Sequence, residues 1–215
     1  MSQTRFNRIV IYATTGIVLL LALAGLFIAI ERRQTQAETG AVLSALFTQQ
    51  ILHDANESGP GRKIEIVIQR KPDCRMCSTD GAVDMGTWFS HSLKSRARSL
   101  SDAWFAQSSR ITRVSFFFNS LFSDDMSADL TLPEGNAAVF VDTSDIENRT
   151  DFEARFPNNF GFFVVSHIGM NLTKTEALLY MEHFCGGLCG SGDYFLMRKI
   201  NGTWRVFERH GVWVS

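Results

Sequence analysis

Four cysteines carry the most reactive chemistry in this 215-residue chain, and they fall into two short-spaced pairs, Cys74-x-x-Cys77 and Cys185-x-x-x-Cys189. Such pairs are open to three uses. Four thiolates from two loops can hold a tetrahedral zinc ion. A Cys-x-x-Cys that follows a strand can cycle between dithiol and disulfide, although Asp73 and Asp80 beside the first pair would raise its thiol pKa rather than lower it. Each pair can also close locally as a structural disulfide. Four residues of extended chain would hold the Cα atoms of Cys185 and Cys189 about 13 Å apart. A bridge needs about 4.4–6.8 Å, so the segment must fold back, which Gly186 and Gly187 permit. All four cysteines are therefore disulfide candidates, paired locally, and no metal or other cofactor is expected.

A second group could in principle serve hydrolysis: Ser166, His167, Glu182, His183, Asp193 and His210. A nucleophile, base and orienting group must converge within about 3 Å. Successive residues of a strand point to opposite faces, so Ser166 and His167 cannot form such a pair. Ser166, His183 and Asp193 remain as weak pocket candidates, no catalytic residue is assigned, and the histidines read best as satisfied or surface groups. The run Gly186 to Gly192 looks like a phosphate cradle, but that motif needs a helix after the loop, and here a strand follows. Four Asn-x-Ser/Thr triplets, beginning at Asn56, Asn148, Asn171 and Asn201, reflect turn composition and carry no functional reading.

The elements that must position these groups are legible in parts. Leu43, Leu46, Phe47 and Ile51 recur on one helical stripe, ending before the turn residues 56–61. Residues 63–69 read as a β-branched strand. Residues 72–130 read as two or three helices packed through Trp88, Phe89, Leu93, Leu100, Trp104 and Phe105, with Phe116 to Phe118 in the core. Ala137–Val141 is a short buried strand. Ser144 and Glu147 form a capping box for a helix that must stop by Pro157. Four strands close the chain, at 160–168, 177–184, 194–200 and 203–209. Asn201-Gly202 marks a two-residue type I′ hairpin, which pairs residues whose numbers sum to 403. Arg198 then faces Arg205, Leu196 faces Phe207 and Tyr194 faces Arg209. Two opposed arginines require a counter-charge or water between them, while Met197 and Val206 point into the core. The order of elements implies an α+β domain with helices packed on an antiparallel sheet that ends in a four-strand meander.

Ahead of this domain, Ile9 to Ile30 are 22 residues without a charge. As a helix they would span about 33 Å, enough for a hydrocarbon core. The stretch is longer than a signal-peptide core, and cleavage near Ala22-Leu23-Ala24 would strand Gly25 to Ile30 on the mature end. The chain thus divides into a short tail at 1–8, a transmembrane helix at 9–30, a polar linker at 31–39 and a globular domain at 40–215. Arg5 and Arg8 on one flank balance Arg32 and Arg33 on the other. The short tail and the paired cysteines favour a signal-anchor with the domain outside the cytoplasm. Setting aside those four arginines with Glu31 and Glu38, residues 40–215 carry 17 basic and 20 acidic side chains, a net charge of −3. That leaves no basic field for a nucleic acid. Sixteen of the 18 Phe lie beyond the anchor, ample for one compact core.

The C-terminal half resembles a large family of uncharacterised bacterial proteins. The matching stretches are NNFGFFVVSHIGMN (158–171) and EALLYMEHFCGGLCGSGDYFLMRKINGTWRVFERHGVWVS (176–215), with weaker similarity back to about Val114. The family pattern has a Gly-bearing strand, a Ser-x-x-Gly-Phe-Asn segment, an Ala-Leu-Val-Tyr strand, a Gly-rich turn and a Gly-x-Trp hairpin. It falls here on Gly161, Ser166, Gly169-Met170-Asn171, Ala177-Leu178-Leu179-Tyr180, Gly186 to Gly192 and Gly202-Thr203-Trp204. Met170 stands where the family usually has Phe, and Cys74 and Cys77 lie outside the pattern. The resemblance implies a fold but no activity. In a bacterial chain the anchor is expected in the inner membrane, and the short tail and paired cysteines favour a periplasmic domain. The leading expectation is a membrane-tethered, non-catalytic interaction or binding domain that meets another envelope protein. An envelope hydrolase using a pocket near His183 and Asp193, and a thiol-redox or metal-binding protein built on the cysteine pairs, are the alternatives.

Overall fold

The computed structural model describes residues 3–53, 63–71, 130–142, 149–186 and 189–215. Its first element is one long helix, α1, Gln3–Leu46, which continues into a π-helical turn at Phe47–Ile51. Among the described residues this is the one helix long and apolar enough to cross a membrane. From Ile17 to Ile30 its apolar side chains face outward, untouched by the rest of the chain, as lipid contact requires. Residues 31–39, expected as a linker, are helical too. No Gly or Pro interrupts Glu31 to Thr39, so nothing in the sequence forces the helix to stop there.

The helix changes partner along its length. Thr35, Thr39, Val42, Leu43, Leu46 and Phe47 form a buried stripe at helical spacing, and this stripe lies on a sheet of seven strands. The strands are β1 Glu65–Gln69, β2 Ala137–Val141, β3 Asn159–Val165, β4 Gly169–Met170, β5 Glu176–Gly186, β6 Cys189–Ile200 and β7 Thr203–Val214. Their order is β2-β1-β3-β5-β6-β7, with β4 pairing β5. Phe47 meets Phe163 edge to face at 5.3 Å in the middle of this layer, a geometry that aromatic quadrupoles favour.

The chain is α+β, as expected, but the sheet is mixed. β3, β5, β6 and β7 form the antiparallel meander, whereas β1 runs parallel to both β2 and β3. Parallel neighbours need a crossover. Between β2 and β3 it includes α2, Arg149–Arg155, which stops ahead of Pro157. Phe152 and Phe156 cover Val67, Val141 and Phe162 in a second small core on the other face. The capping box at 144–147, the expected helices of 72–130, the turn at 56–61 and the pair Cys74 and Cys77 lie outside the described residues.

The last hairpin turns where expected, with Asn201 and Gly202 at φ +50° and +80°. The sum-to-403 pairing holds from Ile200↔Thr203 through Met197↔Val206 and then slips by one, so Leu196 faces Glu208, not Phe207, and Tyr194 faces His210, not Arg209. The extra residue is Phe207, whose ring lies 3.7 Å beneath the Arg198 guanidinium. Arg198 also pairs with Glu176 at 3.0 Å, the counter-charge that two opposed arginines need. A bulge thus exchanges one ladder position for a cation–π contact. A second slip follows between Gly192 and Asp193.

Candidate functional site

β5 and β6 run as one continuous hairpin to its tip, where Gly186 pairs with Cys189. The glycines from 190 to 192, expected in a loop, belong to the ladder instead, and Asp193 lies within β6 rather than beside it. At the tip Cys185 and Cys189 are bridged with their Cα atoms 5.1 Å apart, and both are exposed. This is the local bridge that the spacing allows. Among the described residues no group of three or more His, Cys, Asp or Glu side chains is placed to hold a metal ion.

Period 2 divides the polar groups of β5 and β6 between the faces of the sheet. His183 and Asp193 share the face covered by α1, as the pairs His183↔Ser191 and Met181↔Asp193 require. Asp193 is buried and accepts two bonds from Arg209, Nε to Oδ1 at 3.0 Å and Nη2 to Oδ2 at 3.1 Å, with Ser191 Oγ donating at 3.3 Å. This bidentate fork neutralises the carboxylate. His183 Nε2 lies 2.7 Å from the Phe160 carbonyl. Its ring stacks on Phe163 at 4.4 Å and 2°, so the imidazole is held as a flat core member. Ser166, expected within a strand, lies just past the end of β3. Its hydroxyl accepts the Tyr180 N–H and donates to the His167 carbonyl, both at 2.9 Å. It therefore serves the backbone ladder. The structure brings His183 and Asp193 onto one face but turns each toward a different partner, and Ser166 toward neither.

The opposite face holds a constellation that reasoning from the sequence missed. Tyr180 and Glu182 are buried neighbours on β5. Trp213 Nε1 donates to the Tyr180 hydroxyl at 2.8 Å, and that hydroxyl donates to Glu182 Oε1 at 3.2 Å. Gly192 lies opposite both Glu182 and Trp213, and any Cβ there would overlap the Trp213 indole nitrogen and the Tyr180 oxygen. The glycine is what lets the three side chains meet. Burial, and after it the Glu182 charge, pushes the Tyr180 phenol well above its ordinary value of 10.0, against the lowering influence of the Trp213 hydrogen bond. A phenol so held stays a neutral donor, suited to fixing Glu182 rather than to acting as a base. Tyr180 and Glu182 could be paired from their spacing alone. Trp213 could not, because two register slips intervene.

A further polar group joins α1 to the sheet. Glu38 accepts from Trp204 Nε1 at 2.7 Å through Oε2 and from Lys199 Nζ through Oε1. Gln49, in the π turn, donates to the Trp204 carbonyl at 3.0 Å and accepts from the Val206 N–H at 3.1 Å. Lys199↔Trp204 and Met197↔Val206 alternate with the hydrogen-bonded pairs of the hairpin, so these two backbone groups point away from β6. The Gln49 amide occupies the positions that a further strand would take.

Beyond Val206, β7 follows the sheet margin to Val214. Phe207 is 52% exposed and Val214 83%, and among the described residues β7 has β6 as its one strand neighbour. Along this margin the exposed apolar side chains Phe207 and Val214 bracket Glu208, Arg209 and His210. No family model, no curated protein and no solved structure matches the chain.

Proposed function

We propose that the chain is a single-pass protein of the bacterial inner membrane whose periplasmic domain binds an extended segment of another envelope protein along β7, with no catalysis of its own. The observation that carries this reading is the asymmetric edge of β7. Its first outward backbone groups are taken by Gln49, while farther along, where β6 is its one strand neighbour among the described residues, exposed Phe207 and Val214 bracket Glu208, Arg209 and His210. An added strand is a common use of a sheet edge paired on one side only, as β7 is among the described residues. The exposed Cys185–Cys189 bridge supports an oxidising compartment. The structural hydrogen bonds of Ser166, His183 and Asp193 support binding over hydrolysis. Kinship with the bacterial family that shares the 158–215 pattern is part of the same proposal.

A photo-crosslinking amino acid in place of Phe207, in the full chain in living cells, tests it. The expected result is a discrete adduct with one polypeptide, abolished by Val214→Lys, which blunts the edge without touching the core. Adducts formed from Glu153 on α2 but not from position 207 would overturn the assignment of the surface.

A further inference from the structure

We infer that the turn Asn171–Thr175 is a second membrane contact, seated in the headgroup layer of the bilayer that α1 crosses, with Leu172 as its inserted side chain. The inference rests on the reading of α1 as a membrane anchor and goes beyond it, because it fixes how the domain lies on the membrane.

Depth comes from the helix. Ile30 is the last residue of the uncharged run, and Lys174 Nζ reaches back to Glu31 Oε2 at 2.9 Å and Gln34 Oε1 at 3.3 Å. At 1.5 Å per residue, Gln34 lies about 6 Å beyond Ile30 along the axis. The polar zone on each side of a bilayer is about 5–8 Å thick. The Lys174 ammonium is therefore at headgroup depth whenever the 9–30 segment spans the hydrocarbon. Leu172 is two residues away.

The turn is built to hold its shape. Asn171 is buried, and its Oδ1 accepts the N–H groups of Thr175 at 2.8 Å and Glu176 at 3.2 Å. Its Nδ2 donates to Thr175 Oγ1 at 3.0 Å and its carbonyl accepts the Lys174 N–H at 2.9 Å. Lys174 itself has φ +51°, a left-handed conformation that this bonding sustains. The product is a stiff turn whose tip is Leu172, 96% exposed, the most exposed of the large apolar side chains beyond the helix among the described residues. Lys199 N–H donates to the Thr175 carbonyl at 2.8 Å, which brings the Asn201-Gly202 hairpin to the same end of the sheet. Ile200, half-exposed, lies at that end as well. An apolar tip on a rigid turn, tied through Lys174 to the helix just beyond the uncharged run, lies at headgroup depth, and lipid is the partner that this depth selects.

The test uses the full chain in vesicles of phosphatidylethanolamine and phosphatidylglycerol, with a fluorescent non-canonical amino acid replacing Leu172 or, separately, Leu20. The expected result is that nitroxides on the lipid acyl chains quench both probes several-fold more than they quench one placed at Glu153, and that aqueous iodide quenches neither strongly. Iodide quenching at position 172 with nitroxide quenching retained at position 20 overturns this inference and leaves the anchor intact. Loss of nitroxide quenching at position 20 removes the anchor reading and this inference with it.

Discussion

Glu38 shows how one side chain can settle the position of a helix. Its two oxygens hold Lys199 and the buried Trp204 indole, so the residue acts less as half of an ion pair than as the acceptor for a donor cut off from water. The salt bridge is partly exposed and contributes little by itself. The buried N–H is costly to leave unmet. We predict that Glu38→Ala destabilises the domain by about 1–3 kcal/mol, while Glu38→Gln, which can still accept from the indole, loses less than half of that. Urea unfolding of the protein in detergent, followed by tryptophan fluorescence, measures both. Tyr180 makes a prediction in pH. The unfolded phenol ionises near 10.0, whereas burial and Glu182 keep the folded one protonated beyond that value. Above pH 10 the unfolded state therefore releases protons that the folded state retains. Its contribution is intact below pH 10 and falls as pH rises, by up to about 1.4 kcal/mol per unit. Tyr180→Phe should flatten this alkaline loss relative to the native chain, and an unchanged slope would show that other groups cause it.

At the scale of elements, the register of β6 and β7 decides which residues meet. Gly192→Ala should cost about 2–3 kcal/mol, because the new methyl displaces Trp213 from Tyr180. The same change at exposed Gly202 should cost about 1–2 kcal/mol, through positive φ alone. Thermal unfolding of the two variants compares them. Replacing Cys185 and Cys189 together by Ser should cost about 2 kcal/mol, since so short a loop removes little unfolded-state entropy. Much at this scale was legible from sequence. The stripe Leu43, Leu46, Phe47 and Ile51, the β1 and β2 strands, the Asn201-Gly202 turn and the Cys185–Cys189 bridge all follow from local rules of spacing and backbone freedom. What was illegible depends on distance. The bulge at Phe207 answers to Glu176 and Arg198 on two other strands, and no alternation within β7 announces it. The ladder glycines read as a loop because their role is to be lain upon by Trp213 and Tyr180. The parallel pairing of β1 with β2 and β3 joins segments many residues apart. Ser166, His183 and Asp193 look reactive by type, but a backbone N–H, a carbonyl and an arginine supplied by other segments engage them.

For the whole molecule, the main consequence is that anchor and core share one helix. The buried stripe of α1 begins at Thr35, about 7 Å past Ile30, with Glu31 and Gln34 bound to the turn between β4 and β5 and Glu38 to the sheet. A chain that begins at Glu31 should thus be soluble and more stable than one that begins at Gly40, by about 1–3 kcal/mol for the exposed Trp204 donor alone. Equal stabilities would mean that residues 31–39 only connect. On the proposed reading, such a helix gives the domain little freedom to swing and sets the height above the bilayer at which β7 meets its envelope partner. That account stands or falls on which side of the membrane the domain occupies. Alkylation of thiols in intact cells, then mass spectrometry of non-reduced peptides, asks this directly. The account predicts a peptide pair joined through Cys185 and Cys189 that no alkylating agent has reached, whereas Cys185 and Cys189 both recovered as alkylated thiols would place the domain in the cytoplasm and contradict it.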